Sequence, residues 1–351
     1  LSAPSLDVES VSSLVSVLAG PQSAWPDEAQ IALDAERAVV AGQEVRPVGF
    51  TLSYGSKAIA LERIQIGDAG SDLAVAGTGS FDRVDGKGRL SLDAAAPSLA
   101  RVGAMVAPFA PAVAQRLNGL DVLGAVKTKL SAEFVQERAR TNVRAAFDID
   151  ASQMKGALTL SAAPEMNIAT GLNLTALSGS EFSASMKLSA DNEASLIQAL
   201  GLATVVSSGD GPAQFEASAG GVWGAPLQLK AKLTGAGVDG DIHGTGNPWA
   251  EQPAAALDVA VRRADISPWL GAKPAGVSPM SLASRLGVSG NVFTLDNLDA
   301  TVGGSRVRGR LMLTRGDETG LDGEIGLDSL DLAAVTGLAF GAAGHDSAAP
   351  L

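Results

Sequence analysis

The feature that most constrains the fold is a period-two alternation of apolar residues between Ser281 and Leu338. Runs of alternation, broken by Gly-Gly, Ser-Gly and Asp-Glu-Thr-Gly, contain Leu286 and Val288, Phe293 and Leu295, Val307, Leu311 and Leu313, and Ile325 and Leu327. This period predicts half-buried antiparallel strands, because successive side chains of a strand point to opposite faces. After Asp328 the apolar spacing becomes helical, so the stretch predicts a small meander closed by a short helix.

The same pattern returns earlier in the chain, over Ala60–Val102 and Pro212–Gly271. Gly77 and Leu90 are 13 positions apart, and so are Gly244 and Leu257, which indicates a degenerate internal repeat. We therefore predict β-repeat units with a helical cap over residues 1–120, a middle β unit over 121–211, C-terminal β-repeats over 212–340 and a flexible tail over 341–351.

Composition favours a mainly β fold of this repeat type. The 351 residues include 41 glycines, only 4% are aromatic, and none is cysteine. Short helices are expected at Leu99–Leu117 and Ala194–Val206, and about 18 strands elsewhere. A sheet of that many strands cannot stay flat. We expect an elongated, curled antiparallel sheet whose apolar inner face forms a groove, with a self-buried sandwich core as the alternative.

Several phrases resemble a known family of bacterial envelope proteins. VGGSRVRGRLML, LDSLDLAAV and FTLDNLDA, within Ser281–Leu338, resemble the C-terminal repeat region of AsmA-like proteins. The resemblance implies a periplasmic β-groove that conducts phospholipid between the inner and outer membranes, and it carries no catalytic residues. Residues 1–8 resemble the strand-end cap of a repeat. We therefore expect a fragment of a longer protein, with any inner-membrane anchor outside it.

Alternation and resemblance together predict which side chains line the groove and contact acyl chains. They are Leu227, Leu229, Leu233, Leu257, Val259, Val261, Val288, Val307, Leu311, Leu313, Ile325 and Leu327. The alternative function is a non-enzymatic scaffold or adhesin with a closed apolar core. A carbohydrate-active β-helix enzyme would need paired carboxylates and more exposed aromatic residues.

The sequence offers little for catalysis or for a metal or cofactor. Asp239, Asp241 and His243 alternate and could share a face, but a solvated outer face explains them as well. Asp296 and Asp299 are expected at a strand end, and the Gly-Thr-Gly turns at 77 and 244 lack the third glycine of a dinucleotide fingerprint. We expect no enzymatic activity, no cofactor and no metal.

Charge and hydropathy restrict the partners. The net charge is −12, and no Lys/Arg cluster suits a nucleic-acid backbone or an anionic head group. We therefore expect no nucleic-acid partner, and a lipid held by its acyl chains. No run of 18 apolar residues predicts a membrane span. The resemblance to AsmA-like proteins implies contact with membranes at the ends of the full-length protein. Protein partners are not predicted.

Overall fold

The chain is mainly β, as the alternation predicted: strands hold 66% of the residues and helices 7%. The computed structural model describes residues 2–3, 6–7, 28–40, 43–68, 70–107, 111, 114–115, 118, 124–138, 140–165, 179–266, 279–315 and 320–328. No helix within these ranges is long and apolar enough to cross a bilayer. The predicted helix after Asp328 and the predicted tail 341–351 lie outside the described residues.

Two compact units divide the chain, Leu1–Ser180 and Glu181–Leu351. This boundary differs from those expected at 120 and 211, and the division into repeat units stays a prediction. The first unit contains strands β1 (Ser2–Ala3), β2 (Leu6–Asp7), β3 (Ala29–Ala35), β4 (Ala38–Val40), β5 (Gln43–Val45), β6 (Val48–Tyr54), β7 (Ala58–Ile66), β8 (Ala74–Asp82), β9 (Lys87–Ala96), β10 (Val126–Glu137), β11 (Arg140–Ala151) and β12 (Met154–Ala162).

Strands of the first unit form one large antiparallel sheet in the order β3-β6-β7-β8-β9-β10-β11-β12, with β1 parallel to β3. Strands β2, β4 and β5 form a small separate sheet. Helix α1 (Leu99–Val106) follows β9, and its N-cap Ser98 accepts a hydrogen bond from the Arg101 amide. The helix ends before Pro108, in agreement with the cost of proline in a helix interior.

Strands of the second unit pair with their sequence neighbours throughout. They are β13 (Glu181–Ala190), β14 (Ala213–Val222), β15 (Leu227–Thr234), β16 (Asp239–Asn247), β17 (Ala254–Asp265), β18 (Pro279–Ser289), β19 (Val292–Val302), β20 (Ser305–Thr314) and β21 (Gly320–Leu327). At about 4.8 Å between strands, these nine extend over roughly 38 Å.

Helix α2 (Glu193–Ala199) is shorter than the predicted Ala194–Val206. Gly201 adopts a φ of 73°, and the amide of Leu202 donates to the Ile197 carbonyl at 2.9 Å. These are the features of a Schellman ending, in which a left-handed glycine terminates the helix. Gly201 was therefore the stop signal, and the residues after it form turns.

Candidate functional site

The strand register of the second unit places all twelve predicted lining residues on one face of its sheet. Directly paired residues of antiparallel strands share a face. One cross-strand row runs through Leu229, Gly244, Leu257, Leu286, Leu295, Leu311 and Gly323, and a second through Leu233, Gly240, Val261, Leu282, Ala300, Val307 and Leu327. Leu227, Val259, Val288, Leu313 and Ile325 stand two positions along their strands from members of these rows, so they share the same side.

We call this side of β13–β21 the apolar face of the second unit. It continues across β14 and β13 through Phe215, Ala217, Met186 and Leu188. Its described strand residues carry no charged side chain. Ser284 is buried on this side, and its hydroxyl donates to the Asp296 carbonyl at 2.9 Å, so its polar group is satisfied within the sheet.

Solvent reaches much of the apolar face. Leu257, Val259, Leu286, Leu295 and Leu311 are only half-buried, although they lie on central strands. Nearer the last strand, Leu313 is 38% exposed and Ile325 is 47% exposed. In a closed two-layer domain the middle of such a face would be covered by the second layer. The described elements leave it partly open.

One end of the face is closed by the segment that contains α2. The carboxylate of Glu193 is fully buried and accepts three backbone N–H bonds, from Gly209 (2.7 Å), Gly237 (2.7 Å) and Val238 (2.9 Å). The Ser207 amide also donates to the Asp265 carbonyl at 2.7 Å. These bonds tie the segment to the turn after β15 and to the end of β17.

The burial of side chains also shows that the α2 end of the apolar face is closed. Apolar-face residues at this end of their strands are buried: Ala190, Ala213, Leu233 and Ala264. Leu196 and Ile197 of α2 are also buried. The α2 segment therefore seals the strand ends on this side and leaves the middle of the face accessible.

Two glycines on the apolar face pair directly with a leucine and an isoleucine of the neighbouring strand. Gly244 pairs with Leu257 and Gly309 with Ile325. Both glycines have φ near 152°, and a Cβ at Gly244 would lie 2.1 Å from the Ala256 carbonyl oxygen. Such a conformation and approach require glycine. On this face, long aliphatic side chains therefore lie beside glycine positions where the backbone has no side chain.

The opposite side of the sheet is held by cross-strand ion pairs. Arg310 Nε lies 2.8 Å from Asp296, Arg306 Nη2 lies 2.6 Å from Asp299, and Lys187 Nζ lies 2.9 Å from Glu216. The Arg306 hydrogen bond lowers the pKa of Asp299 below its usual value. Asp296 and Asp299, which could have formed an acid pair, are instead engaged by arginines of β20.

The candidate metal ligands Asp239, Asp241 and His243 also lie on this polar side. Arg262 donates to Asp239 from Nε at 3.0 Å and contacts Asp241 through Nη1. The Arg262 side-chain bond lowers the pKa of Asp239. The His243 ring nitrogens are 4.0 Å from Asp241 and 3.9 Å from Asp258. The described residues contain no group of three or more potential metal ligands arranged around a common point.

Aromatic residues mark the strand ends opposite α2. Trp223 and Trp249, in the turns after β14 and β16, have ring centroids 4.2 Å apart, and Phe182 meets Trp223 edge-on at 5.6 Å. This cluster and Glu193 were not predicted from the sequence. Because aromatic residues are scarce in the chain, the two tryptophans were the available signal for the cluster.

The first unit has a face of the same kind. One row runs through Leu33, Phe50, Ile64, Gly77, Leu92, Leu130, Phe147 and Leu158. We call this side of β3 and β6–β12 the apolar face of the first unit. It was not among the residues predicted to line a groove.

Comparison of the chain with protein-family models, with curated proteins and with solved structures finds no match.

Proposed function

We propose that the chain is a periplasmic segment of an AsmA-like protein and that its apolar faces hold or conduct the acyl chains of phospholipids. The observation that carries this proposal is the apolar face of the second unit, which crosses nine strands with no charged side chain among its described residues and remains partly open. Monomeric proteins rarely expose apolar surfaces of this extent without a binding role.

The physical requirement for lipid transfer is to keep acyl chains out of water. Each methylene exposed to water costs about 0.8 kcal/mol, so a chain leaving a bilayer needs a continuous apolar path. The apolar face provides such a path across strands, and the ion-paired side provides a soluble exterior. The full-length protein would contact the membranes at its ends, and lipid transfer requires no bond-breaking step.

Mass spectrometry of an organic extract of the purified chain tests this proposal. We expect co-purified phospholipid, and we expect Leu311→Asp to reduce it by more than half. Leu311 is half-buried, so water reaches the new carboxylate and the melting temperature should fall by only a few degrees. Thr314→Asp is the matched control, because Thr314 is an exposed residue on the polar side of the same strand.

The remaining outcomes contradict the proposal in different ways. A large loss of melting temperature for Leu311→Asp would mean that this side chain lies in a closed core, where an unpaired carboxylate costs several kcal/mol. That result would favour the scaffold or adhesin. Unchanged lipid in a folded Leu311→Asp protein would show that this face is not the path, and absence of lipid from the parent protein would refute lipid binding.

A further inference from the structure

A cation stands at the end of the apolar face of the first unit. Tyr54 is the last residue of β6 and lies on this face, in the same alternation as Phe50. The Arg83 guanidinium lies 5.1 Å from the centroid of the Tyr54 ring. Its Nη1 donates to the Tyr54 hydroxyl at 3.1 Å and to the Gly55 carbonyl at 3.2 Å. Three contacts therefore hold a half-buried guanidinium where apolar surface meets water.

Two hairpin turns build this position. Arg83 begins the turn between β8 and β9, and its backbone amide donates to the Lys57 carbonyl at 2.8 Å in the turn between β6 and β7. The exposed Lys57 is thereby placed beside Arg83. The contact brings two cationic residues to one rim of the sheet.

No carboxylate among the described residues forms an ion pair with the guanidinium of Arg83. Among the described residues, ion pairs within 4.0 Å engage ten other arginines, whereas the partners of Arg83 are a hydroxyl, a carbonyl and a ring. The neighbouring Asp82 carboxylate accepts from the amides of Val84 (2.8 Å) and Asp85 (2.9 Å). The Asp82 carboxylate is therefore engaged by backbone amides of its own turn.

We propose that Arg83 and Lys57 form a binding site for the phosphate of a lipid whose acyl chains lie on the apolar face of the first unit. This inference rests on the proposed function and adds the class of head group. A guanidinium binds a phosphate through parallel N–H bonds, and Arg83 presents Nε and Nη2 in addition to the Nη1 that Tyr54 engages. The site differs from the sequence-based expectation that acyl chains alone are held.

A competition between two lipids with the same chains tests the site. The full chain is incubated with vesicles containing equimolar dioleoylphosphatidylglycerol and dioleoylglycerol, re-isolated and extracted, and the two bound lipids are quantified. We expect the parent protein to prefer the phosphate lipid, and Arg83→Gln to lower that preference by about tenfold or more, as loss of a charged hydrogen bond implies. Total bound lipid should stay near the parent level, since the apolar face is unchanged.

Arg89→Gln is the matched control. Arg89 lies on β9 of the same hairpin, is exposed, and pairs with Ser80 and Glu133 on the polar side. The Arg89→Gln substitution removes the same charge without altering the rim, so the preference for the phosphate lipid should persist. Arg83→Lys, which keeps the charge, should retain part of the preference and guards against a folding defect in the glutamine variant.

Each other outcome is decisive. Lipid binding without phosphate preference, or an equal loss in Arg89→Gln, would overturn the head-group site and leave the proposed function standing. Absence of the lipid preference together with saturable binding of inorganic phosphate that Arg83→Gln abolishes would assign the site to free phosphate instead. Absence of both lipids from the parent protein would refute the proposed function and this inference together.

Discussion

Glu193 is the residue on which the closed end of the second unit depends most. Its buried carboxylate accepts from the amides of Gly209, Gly237 and Val238. We expect Glu193→Ala to leave three donors without an acceptor and to lower the free energy of unfolding by roughly 3 kcal/mol or more. Urea unfolding followed by tryptophan fluorescence measures this.

A control separates that effect from loss of a negative charge. Glu216→Gln removes an exposed carboxylate paired with Lys187, and exposed pairs contribute only about 0–1 kcal/mol. Equal destabilisation by Glu216→Gln and Glu193→Ala would contradict the role given to Glu193.

The arginine–aspartate pairs of the polar side predict a pH dependence. The Arg306 hydrogen bond lowers the pKa of Asp299 from its ordinary value of 3.8 in the folded state. As the pH falls, Asp299 is therefore protonated in the unfolded chain before it is protonated in the folded protein. The stabilisation by the ion pair is present above about pH 4 and is lost as the pH falls through the lower pKa of Asp299 in the folded state. We expect Arg306→Gln to reduce the acid-induced fall in melting temperature between pH 5 and pH 3. An identical fall in both proteins would show that the pair contributes nothing.

The role of Glu193 could not be predicted from its position in the sequence. It stands directly after Asn192, where an acidic residue commonly lies exposed in the first turn of a helix. Its partners, Gly209 and Gly237, are 16 and 44 positions away, and only the folded chain brings them together. By contrast, Arg306, Arg308 and Arg310 alternate with apolar residues, so their place on the polar side followed from the period of two.

At the scale of the strand, the close approach of neighbouring backbone to a glycine of the apolar face predicts that alanine at that position lowers stability. Gly244→Ala would place a methyl group 2.1 Å from the Ala256 carbonyl oxygen, at a φ of 152° that other residues rarely adopt. We expect a loss of roughly 1–3 kcal/mol in the free energy of unfolding. Gly220→Ala is the control, because the nearest atom to its added Cβ is 3.8 Å away. Equal stability of the two variants would contradict the close pairing of β16 with β17.

Strands were predictable and their exact pairing was not. The 13-residue spacing of Gly77 and Leu90 matched that of Gly244 and Leu257, but the register pairs Gly77 with Leu92 and Gly79 with Leu90. Equal spacing along the chain therefore did not mean equal pairing across strands. The hairpin of the first unit has a different turn, and turn geometry fixes register.

β-bulges also escape a simple period of two. On β7, Leu61 pairs with Gly79 and Ile64 with Gly77, so one extra residue lies between them. On β19 a shift between Leu295 and Leu298 accompanies Asn297, which has a φ of 53°. Each bulge keeps apolar residues on the apolar face despite a spacing of three. Sequence periodicity alone cannot distinguish such a bulge from a strand end.

At the scale of the whole molecule, each unit separates apolar from charged residues onto opposite sides of its large sheet. This separation was predictable over β15–β21, where the alternation is regular. It was not assigned in the first unit, although its strand register produces the same arrangement. We propose that lipid chains occupy the apolar side and not the polar side.

Site-specific photocrosslinking tests that claim most directly. The chain has no cysteine, so a single introduced cysteine can carry a benzophenone at a chosen position without background labelling. Labels at Leu257 and Leu311 on the apolar face should crosslink to phospholipid during incubation with vesicles, whereas labels at Lys230 and Arg308 on the polar side should not. Mass spectrometry of the intact protein would detect the added lipid. Equal crosslinking from both sides, or crosslinking only from the polar side, would contradict the proposed lipid path.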